Sequence, residues 1–396
     1  MNAGISVRER LARLVLDRSF RQPLLVFAIT RLLVLAIFIL GGAAALDTSK
    51  PGYDPADPHP VVSLPHATSI EHLLARGDSG WYMSIAQGGY ERATFDSTQP
   101  HNWVFFPLYP LLVGFGGALT GSYLIFGALL SNAFLLVALV LLHRLVSALG
   151  YDPPTADRAV FYTAIFPVSY FFSLPVTEAL FLCLTVGSFL AAARGHWWAA
   201  GLLGGLASGT RLSGLLLLPA LAIFYWQQRP VRMWRRDLLW LALVPSGVLA
   251  FMLFMWRITG NAMAFIDAIA AWDRKSGFFL APLFEYLTHP LRVIEPWDFR
   301  LLNFASGVLA LAAVAFWARR RQWALAALTL MAIFLPLSSG RLQSIARYTS
   351  VIFPVFIALA IVGRRPWIDQ AIRIVFLVLF GIMTLCFALR FSFAAA

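Results

Sequence analysis

Apolar runs of spanning length recur along the chain, each broken by a short polar stretch. The first runs from Leu24 to Leu46, and later ones include Ala199 to Trp226, Leu301 to Trp317, Val351 to Val362 and Ile372 to Leu389. A helix of such residues reaches across a bilayer and satisfies its own backbone, so the pattern predicts about eleven transmembrane helices. A transmembrane β-barrel would alternate polar and apolar positions instead. The expected fold is all-α and polytopic, a single integral membrane domain over residues 1–396. Val160 to Ala192 is too long for one span and short for two, and Pro167 and Pro175 predict two broken half-length helices there. Broken helices are tolerated at membrane depth only where they line protein or a cavity.

Basic residues set the sidedness. Arg8, Arg10, Arg13, Arg18 and Arg21 precede the first run and put the N-terminus in the cytoplasm. Ala43 and Ala45 resemble a signal-peptide cleavage site, but the run before them has full spanning length and is expected to stay. Arg229, Arg232, Arg235 and Arg236, then Arg319 to Arg321, then Arg364 and Arg365 mark further cytoplasmic turns. The polar stretches Asp47 to Asn102, Thr259 to Arg300 and Ser338 to Arg347 therefore lie on the outer side, and the last helix runs outward. The first and longest outer loop is expected to carry short interfacial helices.

Composition sharpens this picture. Hydrophobic residues make up 60% and charged residues 13% of the chain, with a mean hydropathy of +0.75. These values exclude a secreted enzyme with one anchor and a disordered regulator. The net charge of +12 sits in short clusters between apolar runs, where it meets membrane lipid, so nucleic acid is excluded as a partner. Only Lys50 and Lys275 are lysine among 31 basic residues, a bias that points to a high-GC bacterial genome and hence to a bacterial cytoplasmic membrane. Cys183 and Cys386 fall inside predicted helices and offer neither a disulfide framework nor a thiolate metal site.

Twelve of the nineteen acidic residues lie in the two long outer loops, and His59, His66, His72 and His101 share the first. Loops of that length concentrate binding and catalytic groups, whereas the cytoplasmic connections are short. Within the first loop, Arg76-Gly-Asp-Ser-Gly-Trp-Tyr-Met-Ser-Ile-Ala-Gln-Gly-Gly-Tyr90 reads as a turn followed by an amphipathic helix, with Trp81, Tyr82 and Ile85 on a face suited to the membrane interface. Asp78 stands at the helix start, where N-capping alone would explain it. Asn102-Trp-Val-Phe-Phe-Pro-Leu-Tyr-Pro110 follows as an aromatic approach to the second span. Arg211 and Glu178 lie inside apolar runs, where a charge is costly unless paired or functional; they either brace each other or contact substrate. Arg31, inside the first helix, is expected to snorkel or to meet lipid phosphate. No H-E-x-x-H, D-x-D or C-x-x-C spacing supports a metal site.

The pairing of the Asp78 segment with Phe-Phe-Pro-Leu-Tyr-Pro resembles the PIG-V-type mannosyltransferases, GPI mannosyltransferase II and its bacterial relatives, in the GT-C class of membrane glycosyltransferases. Three further stretches agree in order: Phe166-Pro-Val-Ser-Tyr-Phe-Phe-Ser-Leu-Pro-Val-Thr-Glu-Ala-Leu-Phe181, Ser208-Gly-Thr-Arg-Leu-Ser-Gly214, and Ala346-Arg-Tyr348 before Phe353-Pro354. Two positions depart from the pattern: Gly77 stands where an aromatic is usual, and Val176 where a tyrosine is usual. The resemblance implies transfer of a sugar from a polyprenyl monophosphate to an acceptor hydroxyl on the outer face, with inversion.

Such a displacement needs a carboxylate to take the acceptor's proton and positive charge for the leaving phosphate. Asp78 is the expected base. Arg347 and Tyr348, with Arg341 and Arg211, are expected at the donor phosphate, since arginine can give phosphate two parallel hydrogen bonds. Trp81, Tyr82, His72, His101 and Glu178 are expected to bind substrate, and Glu285, His289, Glu295 and Asp298 form either an acceptor site or solvated loop surface. A monophosphate can be met by arginine alone, so no metal cofactor is expected. A transporter or flippase of lipid-linked saccharides, which would need polar groups along a midplane path, is the chief alternative; an outer-face acyltransferase or phosphotransferase is another.

Overall fold

The computed structural model describes residues 17–44, 69–228, 236–272, 277–290 and 299–395. Arg8, Arg10, Arg13, Asp47, Lys50, Asp54, Asp57, His59, His66, Arg229, Arg232, Arg235, Asp273, Lys275, Glu295 and Asp298 lie outside the described residues. Among those described every regular element is helical. In chain order the helices are α1 (Arg18–Ala44), α2 (Ser69–Leu74), α3 (Ser79–Gly88), α4 (Leu108–Thr120), α5 (Tyr123–Ala148), α6 (Pro153–Ala164), α7 (Glu178–Ala193), α8 (Trp197–Ser208) and α9 (Leu217–Gln228). There follow α10 (Ser246–Thr259), α11 (Ala264–Asp267), α12 (Ala281–Thr288), α13 (Arg300–Arg319), α14 (Trp323–Leu337), α15 (Ile345–Ser350), α16 (Phe353–Val362) and α17 (Pro366–Ala388).

Among the described residues five stretches are long and apolar enough to cross a membrane: α1, α5, residues 236–259 ending in α10, α13 and α17. Shorter apolar helices stand among them, including α4, α7, α14 and α16. Prolines open several helices, at the first turns of α6, α12, α16 and α17, where the missing N–H costs nothing. The centre of the bundle is α7, whose residues from Glu178 to Leu190 are all buried between α5 and α8. Outward-facing positions are apolar instead: Leu32, Phe115, Leu119 and Val378 are each more than half exposed, the inverse of a water-soluble surface.

Two apolar runs are discontinuous. The stretch Val160 to Ala192 divides as its prolines predict: α6 ends at Ala164, a 3₁₀ turn occupies Ser169–Ser173, and α7 begins at Glu178. The run Ala199 to Trp226, read from sequence as one span, is also two helices, α8 and α9, joined through Arg211 and a 3₁₀ turn at Leu212–Leu216. Close backbone packing explains this second break. A Cβ on Gly214 would meet the Ala207 carbonyl at 2.4 Å, so only glycine lets the chain fold back so tightly.

The first helix also differs from expectation at Arg31. Rather than snorkelling, this side chain is 7% exposed and turns inward onto the break between α6 and α7. The two ends of the bundle are chemically distinct. At one end Arg18 pairs with Asp157, Arg364 with Asp152, and Gln227 binds the backbone at Arg321 and Ala324. At the other, α3, α15 and the turns that start α7 and follow α8 converge.

Candidate active site

Four charged side chains meet at that second end. Asp78 is delivered by a turn at Gly77, whose φ of +61° is left-handed and whose absent Cβ would lie 2.8 Å from the Ala395 carbonyl. Asp78 itself has helical backbone angles (φ −57°, ψ −16°) and makes no capping hydrogen bond to α3. Its Oδ2 instead accepts from Arg347 Nη1, which disposes of the capping explanation.

Arg347 comes from the short helix α15. Asn303 Oδ1 accepts the Ala346 N–H at 2.9 Å, and Ser344 just before the helix is left-handed at φ +58°. Strain of that kind in a residue other than glycine is characteristic of functional sites. Arg347 Nε donates to Glu178 Oε1 at 2.5 Å, and its guanidinium lies 4.7 Å from the centre of the Phe171 ring.

Glu178 begins α7, where the helix dipole favours a negative charge. The same Oε1 accepts from Arg211 Nη1 at 3.0 Å, while Oε2 is buried with no hydrogen-bond partner among the described residues. Arg211 leaves α8 in extended backbone (φ −155°, ψ 147°) and places its guanidinium 5.1 Å from the Tyr348 ring centre and 5.8 Å from that of Phe181.

Exposure ranks these groups. The Glu178 side chain is fully shielded, Arg347 7% exposed, Arg211 14% and Asp78 30%. Asp78 is the more exposed of the two carboxylates, and both arginines are more deeply buried than it is. In so dry a setting charges act on one another far more strongly than in water.

Tyr82 flanks the cluster: its hydroxyl is 3.3 Å from Thr177 Oγ1, next to Glu178, and its ring meets Phe105 and Tyr109 edge-on. Burial pushes the Tyr82 phenol above its usual range, so the hydroxyl keeps its proton. Trp81 is buried and stacks on Phe105 with ring centres 5.7 Å apart. The face of α3 expected to lie along the membrane interface is therefore covered by protein, because Phe105 and Tyr109 supply an aromatic wall for it.

Of the residues singled out from sequence, Asp78, Glu178, Arg211, Arg347, Tyr348 and Tyr82 come together. His101 and His72 do not join them. His101 Nδ1 is hydrogen-bonded to Glu91 Oε2 and its ring stacks on Trp103 at 4.0 Å, while His72 is exposed on α2. Arg341 is half-buried in the connection before α15. In the second long loop Arg300 donates to the His289 carbonyl at 3.1 Å and lies 3.8 Å from Glu285. Sequence reasoning passed over Phe171 and Thr177, although both sit inside a quoted motif, and over Asn303, whose signal is a polar side chain in the apolar run Leu301 to Trp317. Among the described residues no three His, Cys, Asp or Glu side chains group as metal ligands do.

No family model matches the chain. GPI alpha-1,6-mannosyltransferase 2 of Rattus norvegicus is 30% identical over 215 residues, 51% of this chain and 42% of that protein. The Homo sapiens protein of the same name is 29% identical over 211 residues, 50% of this chain and 41% of its own length. The match thus spans less than half the length of these curated relatives. Among solved structures, the Archaeoglobus fulgidus oligosaccharyltransferase in complex with Zn and sulfate covers 93% of this chain and 53% of its own at 17% identity and a TM-score of 0.49. The archaeal oligosaccharyltransferase bound to an inhibitory peptide and a dolichol-phosphate gives 14% identity and a TM-score of 0.44, covering 94% of this chain and 55% of that one. By sequence, over about half of its length, the chain resembles the GPI alpha-1,6-mannosyltransferase 2 proteins, as its motifs imply.

Proposed function

We propose that this chain is an inverting glycosyltransferase of a bacterial cytoplasmic membrane. It moves a sugar, mannose first among the candidates, from a polyprenyl-phosphate donor to a hydroxyl of a lipid or glycan acceptor on the extracytoplasmic face. The observation that carries this reading is the cluster of Asp78, Arg347, Glu178 and Arg211, which offers a reachable carboxylate and two cations in one dry site. Similarity to proteins named as mannosyltransferases supports the choice of sugar.

In this reading Asp78 takes the proton of the acceptor hydroxyl. The acceptor oxygen bonds to the anomeric carbon from the side opposite the phosphate, the bond from that carbon to the phosphate oxygen breaks, and its electron pair stays on the phosphate. The leaving phosphate gains a negative charge that fixed cations stabilise. Among the described residues Arg211 uses only Nη1 in hydrogen bonds to protein, which leaves Nε and Nη2 as a fork for phosphate. Arg347 is divided between Asp78 and Glu178; phosphate competes for it and frees Asp78 to act as base. Two guanidiniums supply the charge, so the reaction needs no metal.

The test is transfer of labelled sugar by the purified full chain from synthetic polyprenyl-phosphate-mannose to extracted membrane lipids and glycans, with other polyprenyl-phosphate sugars in parallel. A labelled lipid or glycan is the expected product. Failure with every donor, together with movement of lipid-linked saccharide across vesicles, would overturn the proposal for the transport alternative.

A further inference from the structure

Arg31 is a buried cation with no carboxylate beside it among the described residues. Five acceptors surround its guanidinium: Nε donates to Thr30 Oγ1 at 3.3 Å, Nη1 to Ser169 O at 2.8 Å and Ser173 Oγ at 3.2 Å, and Nη2 to Ala164 O at 2.9 Å and Ser169 Oγ at 3.2 Å. Arginine has five N–H donors, so the fork is fully used and has nothing left for an anion. An ionised side chain at such depth is expensive and persists where it performs a task.

The task is visible in what it holds. Ala164 is the last residue of α6, whose terminal carbonyls lack helical partners, and Ser169 to Ser173 is the 3₁₀ turn that spans the break. Ser173 Oγ is tied onward to Asn132 Oδ1 of α5 at 3.0 Å. The same break carries Phe171, whose ring lies against the Arg347 guanidinium, and ends at Glu178, which binds both Arg347 and Arg211.

We propose that Arg31 is a positioning residue: by clamping the break between α6 and α7 it fixes Phe171 and Glu178, and through them sets where Arg347 stands against Asp78. The catalytic consequence rests on the glycosyltransferase reading; the clamp itself does not. A lysine at this position keeps the charge but brings three donors in place of five and no planar fork, so it restores the clamp only in part.

The full chain in lipid nanodiscs tests both halves, as wild type, Arg31→Lys, Arg31→Gln and the milder Ser169→Ala. Hydrogen exchange over residues 165–177 should quicken about tenfold or more in Arg31→Gln, as expected for lost hydrogen bonds to a charged group, and less in Arg31→Lys and Ser169→Ala. Unchanged exchange there would overturn the clamp whatever the protein's activity. Sugar transfer per folded molecule should fall in kcat in the same order, with Arg31→Lys partly rescued. Faster exchange with kcat and donor KM both at wild-type values would leave a brace without a positioning role and overturn that half. A wild type that transfers no sugar would sink the glycosyltransferase reading, and the exchange measurement would still decide the clamp.

Discussion

Glu178 and Arg347 are joined at 2.5 Å although 169 residues separate them, and the same Glu178 oxygen receives Arg211. One fully buried carboxylate therefore holds both cations of the candidate site. Removing Glu178 leaves Arg211 buried without its carboxylate and Arg347 with Asp78 alone. Glu178→Ala should cost about 3–5 kcal/mol of stability, read as a lower unfolding temperature in detergent. A variant as stable as wild type would mean that the arginines do not depend on Glu178.

Arg211 separates charge from geometry. Arg211→Lys can still pair with Glu178 but cannot present a fork to phosphate. It should unfold like wild type yet lose about 10²–10³ in kcat for a polyprenyl-phosphate donor, the range for losing one preorganised transition-state contact. Normal turnover would move the phosphate away from Arg211.

Gly77 ties the candidate base to the backbone that presents it. Gly77→Ala puts a Cβ into a left-handed residue and toward the Ala395 carbonyl. The conformation alone should cost about 1–2 kcal/mol, and the misplaced Asp78 should lower kcat at unchanged expression. An alanine variant with wild-type stability and rate would show that this turn relaxes freely.

In the proposed reaction the two guanidiniums supply the positive charge, which predicts metal independence. Transfer should be the same after exhaustive EDTA treatment and should not rise when Mn²⁺ or Zn²⁺ is restored. Loss on chelation and recovery with one ion would require a cation that the arginines do not replace.

The members of the site were legible in sequence, and their connections were not. Glu178 and Arg211 stood out because charge inside apolar runs is costly, and Asp78 and Arg347 because they sit in the stretches that resemble the PIG-V-type mannosyltransferases. Which carboxylate takes which arginine depends on contacts 269, 169 and 33 residues apart, and no local pattern encodes those. Proline marked the break before Glu178 plainly, whereas the break at Arg211 was hidden because glycine packing, rather than a helix breaker, makes it. Arg31 misled because helix position alone says nothing of its neighbours: snorkelling serves an arginine facing lipid, and the carbonyls of Ala164 and Ser169 at the break after α6 offered this one a better set of acceptors. His101 looked like a site residue for sharing a loop with Asp78, yet Glu91 and Trp103 engage it elsewhere.

In the proposed reaction Asp78 takes the acceptor's proton, and a single-turnover comparison of wild type with Asp78→Asn isolates that step. Asparagine keeps the shape and loses the base. With saturating donor bound to both proteins, the transfer rate should fall by about 10²–10⁴, the usual contribution of general-base catalysis. Equal single-turnover rates would remove Asp78 from the chemistry.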